Sequence, residues 1–94
     1  PMAVALSGNR AFVVSQQSNL LQIFDVSNPV APALLGSVAT GNTPTSVAIS
    51  GSYAYVTCLY SHTLQSFDVS NPAAPRALGS APTGNTPTFV RITG

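Results

Sequence analysis

The sequence repeats itself with a period of 43 residues, and nothing else in it constrains the fold as tightly. Pro1, Pro44 and Pro87 mark the period; Phe24-Asp25-Val26-Ser27-Asn28-Pro29 returns as Phe67-Asp68-Val69-Ser70-Asn71-Pro72; Thr40-Gly41-Asn42-Thr43-Pro44 returns as Thr83-Gly84-Asn85-Thr86-Pro87. Aligning residues 1–43 with 44–86 leaves 25 of the 43 positions identical, more than shared composition can produce. The chain therefore divides into one repeat at 1–43, a second at 44–86, and the first strand of a third at 87–94. A period of this length points to stacked units, each of which buries its apolar surface against its neighbours.

Within each copy, apolar residues alternate over short runs bounded by Gly, Pro, Asn and Ser, the pattern of strands joined by tight turns. Four strands fit each copy: 2–7, 11–15, 20–26 and 33–39, then 45–50, 53–58, 63–69 and 76–82. Ser50-Gly51-Ser52 is short enough for a hairpin, and the Asn28-Pro29 and Asn71-Pro72 pairs start turns because the ring of a proline restricts the residue before it. No segment carries a helical period. The expected fold is all-β, and a four-stranded unit of this length matches the blade of a β-propeller, whose sheets stack around a central channel.

The aliphatic stretch ending in Asp25-Val26-Ser27-Asn28-Pro29, with Ala31, Pro32 and Leu34-Leu35-Gly36-Ser37, leads into Val47-Ala48-Ile49-Ser50-Gly51-Ser52-Tyr53-Ala54-Tyr55-Val56. This succession resembles the LVIVD repeat over essentially the whole chain, and is more loosely similar to the YVTN propeller repeats of surface-layer proteins. The resemblance implies propeller blades in a protein exported or displayed at the cell surface, and it brings no catalytic motif, cofactor or metal.

Such proteins carry enough repeats to close a ring, whereas this sequence holds two. Each open end would leave an apolar sheet face and a strand edge in water. The expected remedy is a homo-oligomer with head-to-tail contacts, three chains giving six blades in preference to four giving eight. The strand at 88–93 duplicates 45–50 and 2–7, and could replace the first strand of the next chain, although Phe89 and Arg91 stand where the second copy has Ser46 and Ala48. The alternatives are an inactive fragment of a longer surface propeller, natural or engineered, and an oligomeric enzyme with a channel site.

Charge is nearly absent: Arg10, Arg76, Arg91, Asp25 and Asp68 are the only charged side chains, with a net charge of +1. Three scattered arginines make no stripe that could neutralise phosphates, so nucleic acid is not an expected partner. No apolar run reaches the roughly 20 residues of a spanning helix, and membrane insertion is not expected. Cys58 is single and has no partner for an intrachain disulfide.

Catalysis by acid and base, or by a metal, needs carboxylates, histidines or cysteines that converge. Asp25 and Asp68 hold one repeat position before Ser-Asn-Pro, where a carboxylate accepts from the amides of the following turn, so both are expected as turn caps. Cys58 and His62 flank one turn but correspond to Ser15 and Asn19 in the first copy, which leaves any thiolate–imidazole pair in a single blade. The expectation is a non-catalytic structural or binding module. Its binding surface, if it has one, would be the ring face made by the turns after the second and fourth strands, where Gln16, Gln17, Asn19, Asn42, Tyr60, His62 and Asn85 gather. Amides, a phenol and an imidazole suit a glycan or a peptide segment better than an ionic ligand.

Overall fold

A computed structural model describes residues 3–84. Asn85 and the third-repeat strand at 87–94 lie outside the described residues. Eight strands follow in chain order: β1 (Ala3–Ser7), β2 (Arg10–Ser15), β3 (Leu20–Asp25), β4 (Ala33–Ala39), β5 (Pro44–Ser50), β6 (Tyr53–Cys58), β7 (Thr63–Asp68) and β8 (Arg76–Pro82). They form two antiparallel sheets, β1-β2-β3-β4 and β5-β6-β7-β8, so each repeat is one meander and hence one propeller blade.

Local chemistry fixes each turn. Gly8 and Gly51 take positive φ of 59° and 58° in two-residue hairpins that pair Ser7 with Arg10 and Ser50 with Tyr53. A glycine at the first central position suits a hairpin turn of the primed type, in which a side chain would be strained. At the other end, Asp25 Oδ1 accepts from Ser27 N at 2.9 Å and Asn28 Oδ1 from Val30 N at 3.1 Å. The second copy repeats both bonds, Asp68 Oδ1 with Ser70 N at 2.9 Å and Asn71 Oδ1 with Ala73 N at 3.2 Å. In each blade a bulge follows, between Ile23 and Phe24 and between Ser66 and Phe67. It turns the outer strand where it meets the Ser-Asn-Pro loop.

The two sheets pack face to face, with β5 lying against β1 and β2. Cross-strand pairs Phe12↔Ile23 and Val14↔Leu21 place four apolar side chains on one face of the first blade. They form a single core with Val47, Ala54, Val56, Cys58, Phe67 and Val69 of the second. The first blade thus buries its trailing face against the leading face of the second.

Parts of the opposite faces are exposed, although Ser46 and Thr57 at the inner edge of the second blade are buried, and the repeat makes the difference measurable. Val47 is 8% exposed on the covered leading face, but its equivalent Val4 is 60% exposed. Leu35 packs on the core, but its equivalent Leu78 is 50% exposed. Every residue of β8 is exposed. At these positions, identical side chains differ in burial according to whether a described neighbouring blade covers them.

Candidate functional site

Three segments meet at one end of the blade pair: the β2–β3 turn at 16–19, the blade-to-blade linker at 40–43 and the β6–β7 turn at 59–62. The linker is held from both sides. Thr43 N donates to Asn19 Oδ1 of the first blade at 2.9 Å, and Thr43 O accepts from Leu59 N of the second at 2.8 Å. Gly41 N donates to Gln65 Oε1 at 2.7 Å and Asn42 N to Ser61 Oγ at 2.8 Å. Thr43 sits at φ 56°, a left-handed conformation uncommon for a β-branched residue, and these bonds hold it there.

The structure therefore sorts the residues expected at this face. Gln16, Gln17, Asn42, Tyr60 and His62 are exposed on the turns, Tyr60 to 70%. Asn19 differs from the expectation: its side-chain oxygen is committed to the linker inside the chain, and its φ of 54° is one that asparagine tolerates well. His62 holds the same backbone position in the second blade, at φ 52°, and its carbonyl accepts from Thr83 N at 2.8 Å. Residues 15–18 line an open groove of about 630 Å³.

Sequence reasoning missed Gln65 and Ser61, the side chains that fasten the linker to the second blade. Their signal was present: between 14–23 and 57–66 the only identical pairs are Ser18 and Ser61, Leu21 and Leu64, and Gln22 and Gln65. A polar side chain kept unchanged across a duplication has a polar partner that is also repeated, here the Thr-Gly-Asn-Thr linker.

The turn nearest a reactive pair does not assemble one. Cys58 has no exposed surface and lies in the core, 3.4 Å from Gln65 Oε1, while His62 lies on the exposed turn. Burial pushes the thiol up from its ordinary value, against smaller opposing effects of the Gly41 amide and the Thr63 hydroxyl. Iodoacetamide at neutral pH is expected to label Cys58 at least about tenfold more slowly in the folded chain than in urea, read by intact mass. Labelling at equal rates would contradict the buried, protonated thiol.

Both carboxylates are occupied by their turns. Hydrogen bonds from Ser27 hold Asp25 below the usual carboxylate range, helped by Arg10. Asp68 is lowered by the Ser70 hydroxyl and amide and by Arg76, whose guanidinium lies 3.5 Å away. A lowered folded pKa means stability that is present above the unfolded value of about 3.9 and lost as the pH falls through the folded value. The Tm of the wild type should therefore fall between about pH 5 and pH 2 more steeply than that of Asp25→Asn/Asp68→Asn. Parallel pH profiles would show that these caps do not couple to folding. Among the described residues, no three His, Cys, Asp or Glu side chains come together as a metal site would require.

Two consecutive LVIVD repeats match residues 2–40 and 41–83. Among solved structures, the chain is similar to a functionally unknown protein from Desulfotomaculum acetoxidans DSM 771, at 28% identity and a TM-score of 0.76, over 85% of this chain and 26% of that one. It is also similar to Kuenenia stuttgartiensis hydrazine synthase, at 20% identity and a TM-score of 0.88, over 99% of this chain and 26% of that one. The second likeness is one of fold alone, and the chain spans about a quarter of both structures. A comparison with curated proteins gave no match. With two matched repeats covering most of its length, each folded as one four-stranded blade, the chain belongs to the LVIVD-repeat family.

Proposed function

We propose that this chain is a non-catalytic assembly module: its blades close into a ring with further copies of itself, and the turn face of that ring is a contact surface for neutral polar ligands. The observation that carries the reading is the pair of open faces. The leading face of the first blade presents Val4, Val13, Phe24 and Val26, equivalents of the Val47, Val56, Phe67 and Val69 that the second blade buries. The trailing face of the second presents Tyr55, Leu64, Gly79 and Ala81 along a shallow groove. One surface already binds the repeat of the other within the chain, so two copies are complementary head to tail, and a fixed rotation per blade closes such contacts into a ring. Three chains give six blades and four give eight; the extracellular or cell-surface setting implied by the family suits a surface carried by uncharged polar groups.

A non-catalytic role is supported by where the reactive groups are spent, both carboxylates on their own turns and the thiol inside the core. Gln17, Asn42, Tyr60 and His62 offer the turn face to a glycan or peptide segment. Because only folded blades associate, the Tm should climb as chain concentration rises. A Tm independent of concentration would contradict closure by copies. It would instead favour the second reading, in which further blades of a longer polypeptide cover both faces, a reading supported by the quarter-length match to both solved structures.

A further inference from the structure

The junction between the two blades has a polar latch and a backbone seat, and the repeat supplies the residues of both again at the outer ends, with no partner among the described residues. At the latch, Gly41 N donates to Gln65 Oε1 at 2.7 Å and Asn42 N to Ser61 Oγ at 2.8 Å. One period earlier, the same acceptors are Gln22 and Ser18, and Ser18 borders the open groove of about 630 Å³ at residues 15–18. One period later, the same donors are Thr83-Gly84-Asn85 at the end of the second repeat. At the seat, Gly36 in β4 lies so close beneath the Pro72 carbonyl that an added Cβ would stand 2.2 Å from its oxygen. Among the described residues, its equivalent Gly79 in β8 has nothing nearer an added Cβ than Ser66 Oγ at 4.0 Å. The residues that would fill that seat, Pro29 and Val30, project in an exposed loop, Val30 to 89%.

We propose that the groove at residues 15–18, with Gln22, is a docking site for the segment around Thr83 and Gly84 of a second copy of this chain, while the first copy's Pro29 seats on the partner copy's Gly79. The inference rests on the assembly reading above and names the atoms of its contact. Gly84 N donates to Gln22 Oε1, as Gly41 N does to Gln65 Oε1 inside the chain. The occupant is a second copy because both halves of the contact lie on this chain and continue an interface it already makes. Main-chain amides and uncharged side chains carry the recognition, so the contact needs none of the few charges and should be nearly insensitive to salt.

The contact also differs from its template. Where the first blade covers the core with Phe12, Val14 and Ile23, the second has Tyr55, Thr57 and Ser66 at the same positions, Thr57 itself being buried. Thr57 Oγ1 is already bonded to Thr45 Oγ1 at 2.9 Å and Ser46 Oγ at 2.7 Å. A junction between copies is therefore less apolar than the one within a chain, and it should part on dilution while the blade pair stays together.

The test compares the wild type with Gly79→Val and Gln22→Ala by light scattering across chain concentration, with circular dichroism at dilution to establish that each variant folds. Neither substitution removes a contact recorded within the described chain, and Gly79 has room for a side chain. Gly79→Val should abolish association at concentrations where the wild type is assembled. Gln22→Ala should weaken it by roughly two- to tenfold, the loss of one hydrogen bond per junction. A wild type that associates together with two variants that associate equally well would overturn this docking site while leaving self-assembly standing. A wild type that is monomeric throughout would overturn both.

Discussion

Gly36→Ala should lower the Tm of the chain by about 10 °C or more, whereas Gly79→Ala should leave the dilute monomer within about 0.5 kcal/mol of the wild type. The two glycines occupy one position of the repeat, in strands of the same length, and neither needs a positive φ. They differ in what lies above them. A methyl group on Gly36 meets the Pro72 carbonyl at 2.2 Å and the Ala73 backbone at 3.1 Å, and because the obstacle is main chain the second blade must shift as a whole. Crowding of this kind in a packed interface costs about 1–3 kcal/mol. Thermal unfolding of both variants at low concentration reads the comparison, and equal Tm values would mean that the sheets do not approach each other as closely as the structure has them.

Phe67→Ala should be the most damaging single truncation, at about 3–5 kcal/mol. Phe67 has no exposed surface and pairs across the sheet with Ala54, in the middle of the core shared by the two blades. Phe24 is its repeat equivalent and pairs with Ala11 in the same way, but lies on the open leading face and is half-buried. Phe24→Ala should cost a dilute chain clearly less, because Phe67 packs in a core that Phe12, Val14, Leu21 and Ile23 of the preceding blade complete, and no described blade precedes Phe24. Urea unfolding with the denaturant slope held common to both variants measures the difference. Equal losses would show that each blade keeps its own core, against the shared one described above.

The same pair of phenylalanines shows what the sequence makes legible and what it hides. All eight strands were readable from alternation and turn residues, with no end shifting by more than one position, because hydrophobic period and Gly-Asn-Pro punctuation are local signals. Burial was not readable in that way. Phe24 and Phe67 open the same run Phe-Asp-Val-Ser-Asn-Pro, which says nothing of the neighbouring blade that covers Phe67 and not Phe24. The turn face was legible as a cluster, since the repeat places the turns at 16–19, 40–43 and 59–62 at one end of the blades.

Individual roles at that face were less legible. Asn19 looked like its exposed neighbours but gives its oxygen to Thr43 N across 24 residues of sequence, a contact that depends on how the blades stack. Gln65 and Ser61 escaped notice for the same reason: their partners are main-chain amides, which no residue pattern announces. The identity of those residues with Gln22 and Ser18 was the available clue, and it acquires meaning once the linker is seen bonded to one pair and not the other.

In the proposed assembly, further copies of the chain complete the exposed faces of this blade pair. Size-exclusion chromatography coupled to light scattering gives the solution mass directly. A discrete species with the mass of three chains, or of four, is the predicted result, and it would dissociate on dilution without loss of strand signal. A folded monomer over the whole accessible concentration range would contradict it, because the Val4 and Leu78 faces would then be stable in water with nothing upon them.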